Sequence, residues 1–365
     1  MADYLDPSLI VETFKTRRPD QRLKAAPTLA MFSQRGMITT QSSYDIKWQV
    51  DVGGSAARME AITDIPTEGS KDGAVAARLE VGHYRLSETF SFLRQDLKQA
   101  QSRGVGAVKK LINKTMGDKV LSITRRLNTL IYNGYATGTK GVTGDGEFVG
   151  LLHPASIGGS PVTYQPTAPY FDPYAGISRL NVPSWTPLGI SNGGTPTVLT
   201  RDTLLRVEEL VQLNESSFDT ILVNPSTARQ YNKIFYDIGG GGTLPKATDG
   251  EMDFPVVDLG HTSRSYNGIP LTEDPRVPVG FMLFVDSSQI ELVQFDMSQP
   301  DSVVDENDSI TTAVTNPEDT YGLQFVLSSL PQGNPDAISF TLRIYPQLAV
   351  YNRKSIAVLS DIAVS

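Results

Sequence analysis

Apolar positions recur at intervals of mostly three or four along one long stretch of the chain. Leu93, Leu97, Ala100, Ala107, Leu111, Met116, Val120, Ile123, Leu127 and Leu130 mark the stripe of an amphipathic helix over 88–133. Gly104, Gly106 and Gly117 interrupt it and mark bends, each costing about 1 kcal/mol against Ala. "NGYATGTKG" supplies glycine at the expected stop. At 1.5 Å per residue such a helix would reach about 65 Å, the dimension of a strut rather than of a compact domain.

Elsewhere the period shortens to two. "YDIKWQV" alternates as a strand should, and "AVAARLEVGHYRL" returns with β-type residues, so 44–86 reads as a long two-stranded excursion. An isolated hairpin of that length is marginal in water. It is either a loose surface loop or an arm made rigid by lying across another copy. "TRDTLLRVEELVQL" predicts a helix capped by Thr200 or Asp202. "FDTILVN" predicts a buried strand, and "NPSTARQYNKIF" a second helix with proline near its first turn. Strands follow in "PVVDLG", "IPLTED", "FMLFVD" and "QIELVQF", and two or three more in "AISFTLRIYPQLAVYNRKSIAVLSDI". Residues 139–200, rich in Gly, Pro, Thr and Ser, read as irregular surface decoration or a disordered loop. Residues 1–38 hold only short apolar clusters and cannot offset their ordering entropy alone, so burial on a neighbouring subunit is expected. The fold class is α+β.

Charge sharpens this picture. The chain has 365 residues and a formal net charge of -8. Within 94–126, however, nine Lys and Arg face only Asp96 and Asp118. The arm repeats the bias, with Lys15, Arg17, Arg18, Arg22 and Lys24 against Asp20. Ordinary surface helices interleave acids for i,i+4 pairing. One-sided basic surfaces in an acidic chain instead imply an anionic partner, either acidic faces of neighbouring copies or nucleic-acid phosphates. The candidate inter-subunit or lumen-facing surface is therefore Lys15, Arg17, Arg18, Arg22, Lys24, Arg103, Lys109, Lys110, Lys114, Lys119, Arg125 and Arg126. No groove-reading motif accompanies it, which argues against sequence-specific recognition. Between 296 and 319 lie seven acids and no Lys or Arg.

Catalytic chemistry finds little support. With no cysteine, thiolate catalysis, disulfides and Cys-based metal sites are excluded. Three histidines far apart in sequence (His83, His153 and His261) leave little for general-base or metal work, and no cofactor is expected. No signal peptide and no apolar run of membrane-spanning length is evident. "GISNG" matches G-x-S-x-G around Ser191, with His261 downstream. A nucleophile elbow needs a strand before the serine and a helix after it. Pro187 precedes and Gly194, Thr195 and Pro196 follow, so neither context is expected and a serine hydrolase is the minor alternative. "GGGG" at 239–242 lacks the Gly-Lys-Ser/Thr of a phosphate loop.

The order of elements carries more than any motif. "RRLNTLIYNG" with "GEFVGLLHP", the helix–strand–helix passage "TRDTLLRVEELVQL…FDTILVNPSTARQYNKI", "NGIPLTEDPRVPVGFMLFVDSSQIELVQF" and "LRIYPQLAVYNRKSIAVLSDI" together resemble the HK97-fold major capsid proteins of tailed bacteriophages. The resemblance covers roughly 44–138 and 200–365. It implies an N-terminal arm (1–39), an E-loop hairpin (40–88), a peripheral domain with spine helix and irregular insertion (89–199), an axial domain (200–340) and closing strands (341–365). It further implies a non-enzymatic structural protein that self-assembles through pentamers and hexamers into an icosahedral shell around double-stranded DNA. The expected partners are sister copies, a portal, a scaffolding protein encoded separately or absent, and packaged DNA touched non-specifically, with no membrane. The implied location is the virion capsid, assembled in the host cytoplasm. An encapsulin-like protein compartment shares the fold and is the alternative.

Overall fold

A computed structural model describes residues 26–51, 74–80, 85–102, 105–133, 148, 150–152, 174–177, 185, 187–191, 195–238, 264–296, 312–315, 321–329 and 336–364. The helices are α1 (Pro27–Gln34), α2 (Arg94–Ser102), α3 (Val105–Asn133), α4 (Arg201–Leu213) and α5 (Pro225–Ile238). The strands are β1 (Ile38–Gln41), β2 (Asp45–Asp51), β3 (Ala74–Glu80), β4 (Leu86–Leu93), β5 (Leu188–Ile190), β6 (Thr220–Val223), β7 (Arg264–Tyr266), β8 (Ile269–Glu273), β9 (Met282–Val285), β10 (Ile290–Phe295), β11 (Thr312–Thr315), β12 (Gln324–Ser329), β13 (Ala337–Ile344), β14 (Pro346–Val350) and β15 (Ile356–Leu359).

The central layer is a six-stranded mixed sheet in the order β5-β15-β9-β6-β8-β7. Its middle strands "TILV", "MLFV" and "IAVL" are apolar at almost every position because both faces are covered. Ile221, Val223, Met282, Phe284, Ala357 and Leu359 belong to a core shared with Leu204, Val207 and Val211 of α4 and with Ala228 and Tyr231 of α5. The alternate residues Leu222, Leu283, Val285, Ile356 and Val358 belong to a second, larger core that contains α1 and α3. One sheet thus separates two cores. α4 starts where Thr200 accepts a hydrogen bond from the Thr203 amide at 3.2 Å, the cap its sequence predicts. β7 and β8 turn through Asn267 and Gly268 at φ 48° and 82°, the left-handed pair of a tight hairpin. Gly280 (φ 82°) lets the C-terminal segment close against the sheet, since a Cβ there would sit 2.9 Å from the Ile362 carbonyl.

The larger core also takes in residues of an antiparallel sheet that runs β11-β12-β13-β4 and of a three-stranded sheet that runs β1-β10-β14. β4 pairs with β13 over eight residues, placing Phe90 opposite Phe340 with ring centroids 5.7 Å apart. Met116, Val120, Ile123, Leu127 and Leu130 of α3 are buried in this core, as the stripe predicts, and Ile131, outside the stripe, is buried with them. Each such side chain contributes about 1.5–3 kcal/mol of transfer free energy.

Three expectations are corrected. Helix does not begin at 88: "LSETFSFL" is strand β4, with Phe90 and Phe92 inward, and Leu93 is 48% exposed rather than part of the helical stripe. Among the described residues helix spans α2 and α3, and α3, at 29 residues, is about 44 Å long. The arm is not left entirely to a neighbour either. Residues 26–32 are buried inside this chain, because "APTLAMF" is dense enough in apolar side chains to fill a gap in its own core. Finally, 139–200 is not decoration throughout: Phe148, Leu151, Tyr174, Ile177 and Trp185 are each at most 3% exposed and act as anchors, while 195–198 are exposed. The Leu151 amide donates to the Ile131 carbonyl at 2.6 Å, and the Val350 amide donates to the Tyr174 hydroxyl at 2.8 Å.

Candidate interaction surface and its internal anchors

α3 is the element on which the predicted basic surface can be placed. Arg125 and Arg126 are exposed near its C-terminal end, as are Arg94 and Lys98 on α2. Lys119 is half-buried and its ammonium lies 2.8 Å from a carboxylate oxygen of Glu88 on β4. That cation is engaged within the chain, tying the long helix to the antiparallel sheet. Lys109, Lys110 and Lys114 also lie on α3, with side chains outside the described set. Lys15, Arg17, Arg18, Arg22, Lys24 and Arg103 lie outside the described residues.

The hairpin β2–β3 presents a second charged face. Lys47 and Arg78 stand directly opposite each other across the ladder, which by itself is repulsive. Asp45 sits between them, 2.9 Å from the Arg78 guanidinium and 3.5 Å from the Lys47 ammonium. The hydrogen bond from Arg78 holds the Asp45 carboxyl below its usual 3.8, partly opposed by desolvation. The opposite face of the hairpin is apolar and rests on the chain itself. Ile46, Ala77 and Leu79 are buried in the larger core. The Trp48 indole packs edge-on against Tyr351 at 5.3 Å and donates to the Tyr351 carbonyl at 3.1 Å. Tyr44, 59% exposed, stacks on Phe295 at 4.6 Å. The base of the excursion is therefore docked on its own body; its tip, 52–73, lies outside the described residues.

Sequence reading gave no sign of the junction around Asp274. This carboxylate, fully buried in the loop after β8, gathers donors from three directions. Its Oδ2 accepts from Thr28 Oγ1 of α1 at 2.6 Å and from Asn128 Nδ2 of α3 at 2.8 Å. Weaker donors are the Thr28 amide and the Tyr132 hydroxyl, both at 3.4 Å. Its Oδ1 accepts from the Arg276 amide at 2.8 Å. The Thr28 and Tyr132 hydroxyls also share a hydrogen bond, and Asn128 Oδ1 accepts from the Leu29 amide at 3.3 Å. Burial first, and the Asp274 charge second, push the Tyr132 hydroxyl well above its usual range, which keeps it a donor. Among the described residues no Lys or Arg pairs with Asp274. At the other end of α1, Arg35 reaches Asp219 at 2.9 Å and donates to Ser287 Oγ at 2.8 Å.

The hydrolase residues behave differently from expectation in one respect. A short strand, β5, does precede Ser191, so half of the elbow context is present. Ser191 Oγ nevertheless donates to Asp361 Oδ2 at 2.6 Å, and the next described helix begins only at Arg201. His261 lies outside the described residues. Among the described residues no group of His, Asp or Glu could hold a metal ion, and no helix is long and apolar enough to cross a membrane.

No protein-family model and no curated protein sequence matches the chain. Solved structures do. The chain is similar to one from the cyanophage A-1(L) capsid asymmetric unit, with 19% identity, TM-score 0.72 and 92% of each chain covered. A capsid chain of the native GTA particle aligns at 10% identity and TM-score 0.54 over 95% of this chain and 93% of that one. The SrpI encapsulin of Synechococcus elongatus aligns at 13% identity and TM-score 0.50 over 96% and 92%. Likeness over nearly the whole of both chains identifies the architecture: this chain has the α+β HK97-like fold of capsid shells.

Proposed function

We propose that this chain is a major capsid protein whose copies close into an icosahedral shell around double-stranded DNA. The observation that carries the reading is the end-to-end likeness to the cyanophage capsid chain, which leaves no large part of either chain over for another task. The elements support it. A 29-residue helix with exposed Arg125 and Arg126 near one end and a charged hairpin face turned away from the core suit a subunit completed by its neighbours. The role is structural rather than catalytic. The basic face of α3 turns toward neighbouring acidic patches or packaged phosphates, and the chain's net negative charge limits DNA adhesion elsewhere. A portal and a separate scaffolding protein complete the assembly, and the product resides in the virion capsid after assembly in the host cytoplasm.

Expression with the scaffolding and portal genes, followed by electron microscopy and nuclease protection, tests this. Closed particles shielding DNA are expected; small soluble oligomers under every assembly condition would overturn it. The likeness to the SrpI encapsulin favours one second reading, a protein compartment. Particles that enclose a protein cargo and no nuclease-resistant DNA would select that reading. Ser191→Ala and His261→Ala are expected to remove no esterase activity.

A further inference from the structure

We propose that α1 is a removable wedge, a two-position element whose insertion fixes how the long helix α3 sits on the six-stranded sheet. The residues that carry this are on both sides of it. Leu29, Ala30, Met31 and Phe32 are at most 2% exposed and fill the space between α3 and the inner face of the sheet. The wedge is attached to the sheet body by two carboxylates, Asp274 at its start and Asp219 at its end, and to α3 by Asn128 and Tyr132.

Two features make this a discrete fitting rather than ordinary core. Firstly, the attachment is polar and concentrated at Asp274, a buried carboxylate satisfied by neutral donors, three of which come from α1 and α3 side chains. Withdrawing α1 strips Asp274 of the Thr28 hydroxyl and amide and leaves a buried acceptor short of partners, a state that cannot persist half-open. Secondly, close-packed interiors do not tolerate a helix-sized void, so α3 and the sheet must re-close against each other once the wedge leaves. Packed elements with two arrangements and a barrier between them are the usual basis of switching. α1 has only eight residues; its outer end is held by Arg35, bonded to both Asp219 and Ser287, and Met37 then leads into β1, so the segment that would move is short and bounded by the β1–β10 pairing. In a shell, two wedge positions would let one sequence supply subunits of different curvature. That consequence rests on the proposed function, whereas the wedge is tested on the chain in any assembly state, so the two can fail separately.

The experiment is hydrogen exchange on the full chain in dilute urea, followed by peptide. In the unaltered protein, amides of 29–36 are expected to exchange through an opening that leaves β6, β9 and β15 protected. Thr28→Val, which keeps shape and removes the hydroxyl bonded to Asp274, is expected to speed exchange in 29–36 by roughly 10- to 100-fold, while β9 changes less than about twofold. Thr203→Val, at the unrelated cap of α4, should leave 29–36 unchanged. If α1 in the unaltered protein exchanges only together with the central strands, or if Thr28→Val accelerates both alike, α1 is plain core and the proposal is wrong. The first of these outcomes needs no variant, so misfolding of Thr28→Val cannot shelter the idea.

Discussion

α1 and the hairpin β2–β3 both belong to the extended N-terminal part of the chain, yet they are held in opposite ways. α1 is inserted: six consecutive residues from Pro27 to Phe32 are buried, and its polar bonds run to groups that are buried themselves. The hairpin is laid on: its inner residues Ile46, Ala77 and Leu79 are buried while Lys47 and Arg78 remain exposed. The difference teaches that extension in sequence does not decide dependence on a partner. What decides it is whether apolar residues surround an element or line only one of its faces. An inserted element leaves its place only as a whole, losing all its contacts at once, whereas a laid-on element can loosen in part.

Four measurements would break or sharpen that contrast. Phe32→Ala removes a ring at 0% exposure and should cost about 3–5 kcal/mol in global unfolding by urea titration. An effect below about 1 kcal/mol would mean that the wedge is not part of the core. Asp274→Ala leaves Asn128, Tyr132 and Thr28 short of an acceptor and should cost about 3 kcal/mol, again in global stability. Trp48→Ala, by contrast, should act locally. The loss of its packing on Tyr351 and its bond to that carbonyl, about 2 kcal/mol, should appear as faster exchange in 45–51 and 75–80 with little change in the melting temperature. Smallest is the response of the hairpin to acid. The Asp45 pKa is lowered in the folded hairpin, so its contribution is complete above the usual value of 3.8 and is lost as pH falls through the lower folded value. Exchange in β2 and β3, compared with Asp45→Asn, should therefore converge with the variant only in strong acid. Convergence already near neutral pH would show that Asp45 does not hold the Lys47–Arg78 pair together.

Much of the fold was legible because local patterns and tertiary burial agree. The stripe Met116–Val120–Ile123–Leu127–Leu130 is buried along α3, and Thr200 caps α4 as its sequence announces. The strands "FMLFVD", "QIELVQF" and "YDIKWQV" also occupy their expected places. β4 departs from the helical expectation because "SETFSFLRQDL" fits both periods. The eight-residue pairing with β13 settles it, and no local signal carries a partner some 250 positions away. "YNG" could have announced the β7–β8 hairpin, since Asn-Gly favours the left-handed pair at 267 and 268. Of the basic surface, the sequence showed the charges but not their employment, and Lys119 turns out to serve Glu88 within the chain.

The sequence by itself determined the periodic elements, their order, the charge separation and hence the α+β class, because those depend on neighbours within a turn or a strand. Only the tertiary structure decided that "APTLAMF" is buried within its own chain and that Asp274, unremarkable between Glu273 and Pro275, is the acceptor on which two helices converge. The reason is physical. Burial of a polar group is tolerable only where donors from distant segments meet it, and that coincidence exists in space without any trace in spacing along the chain.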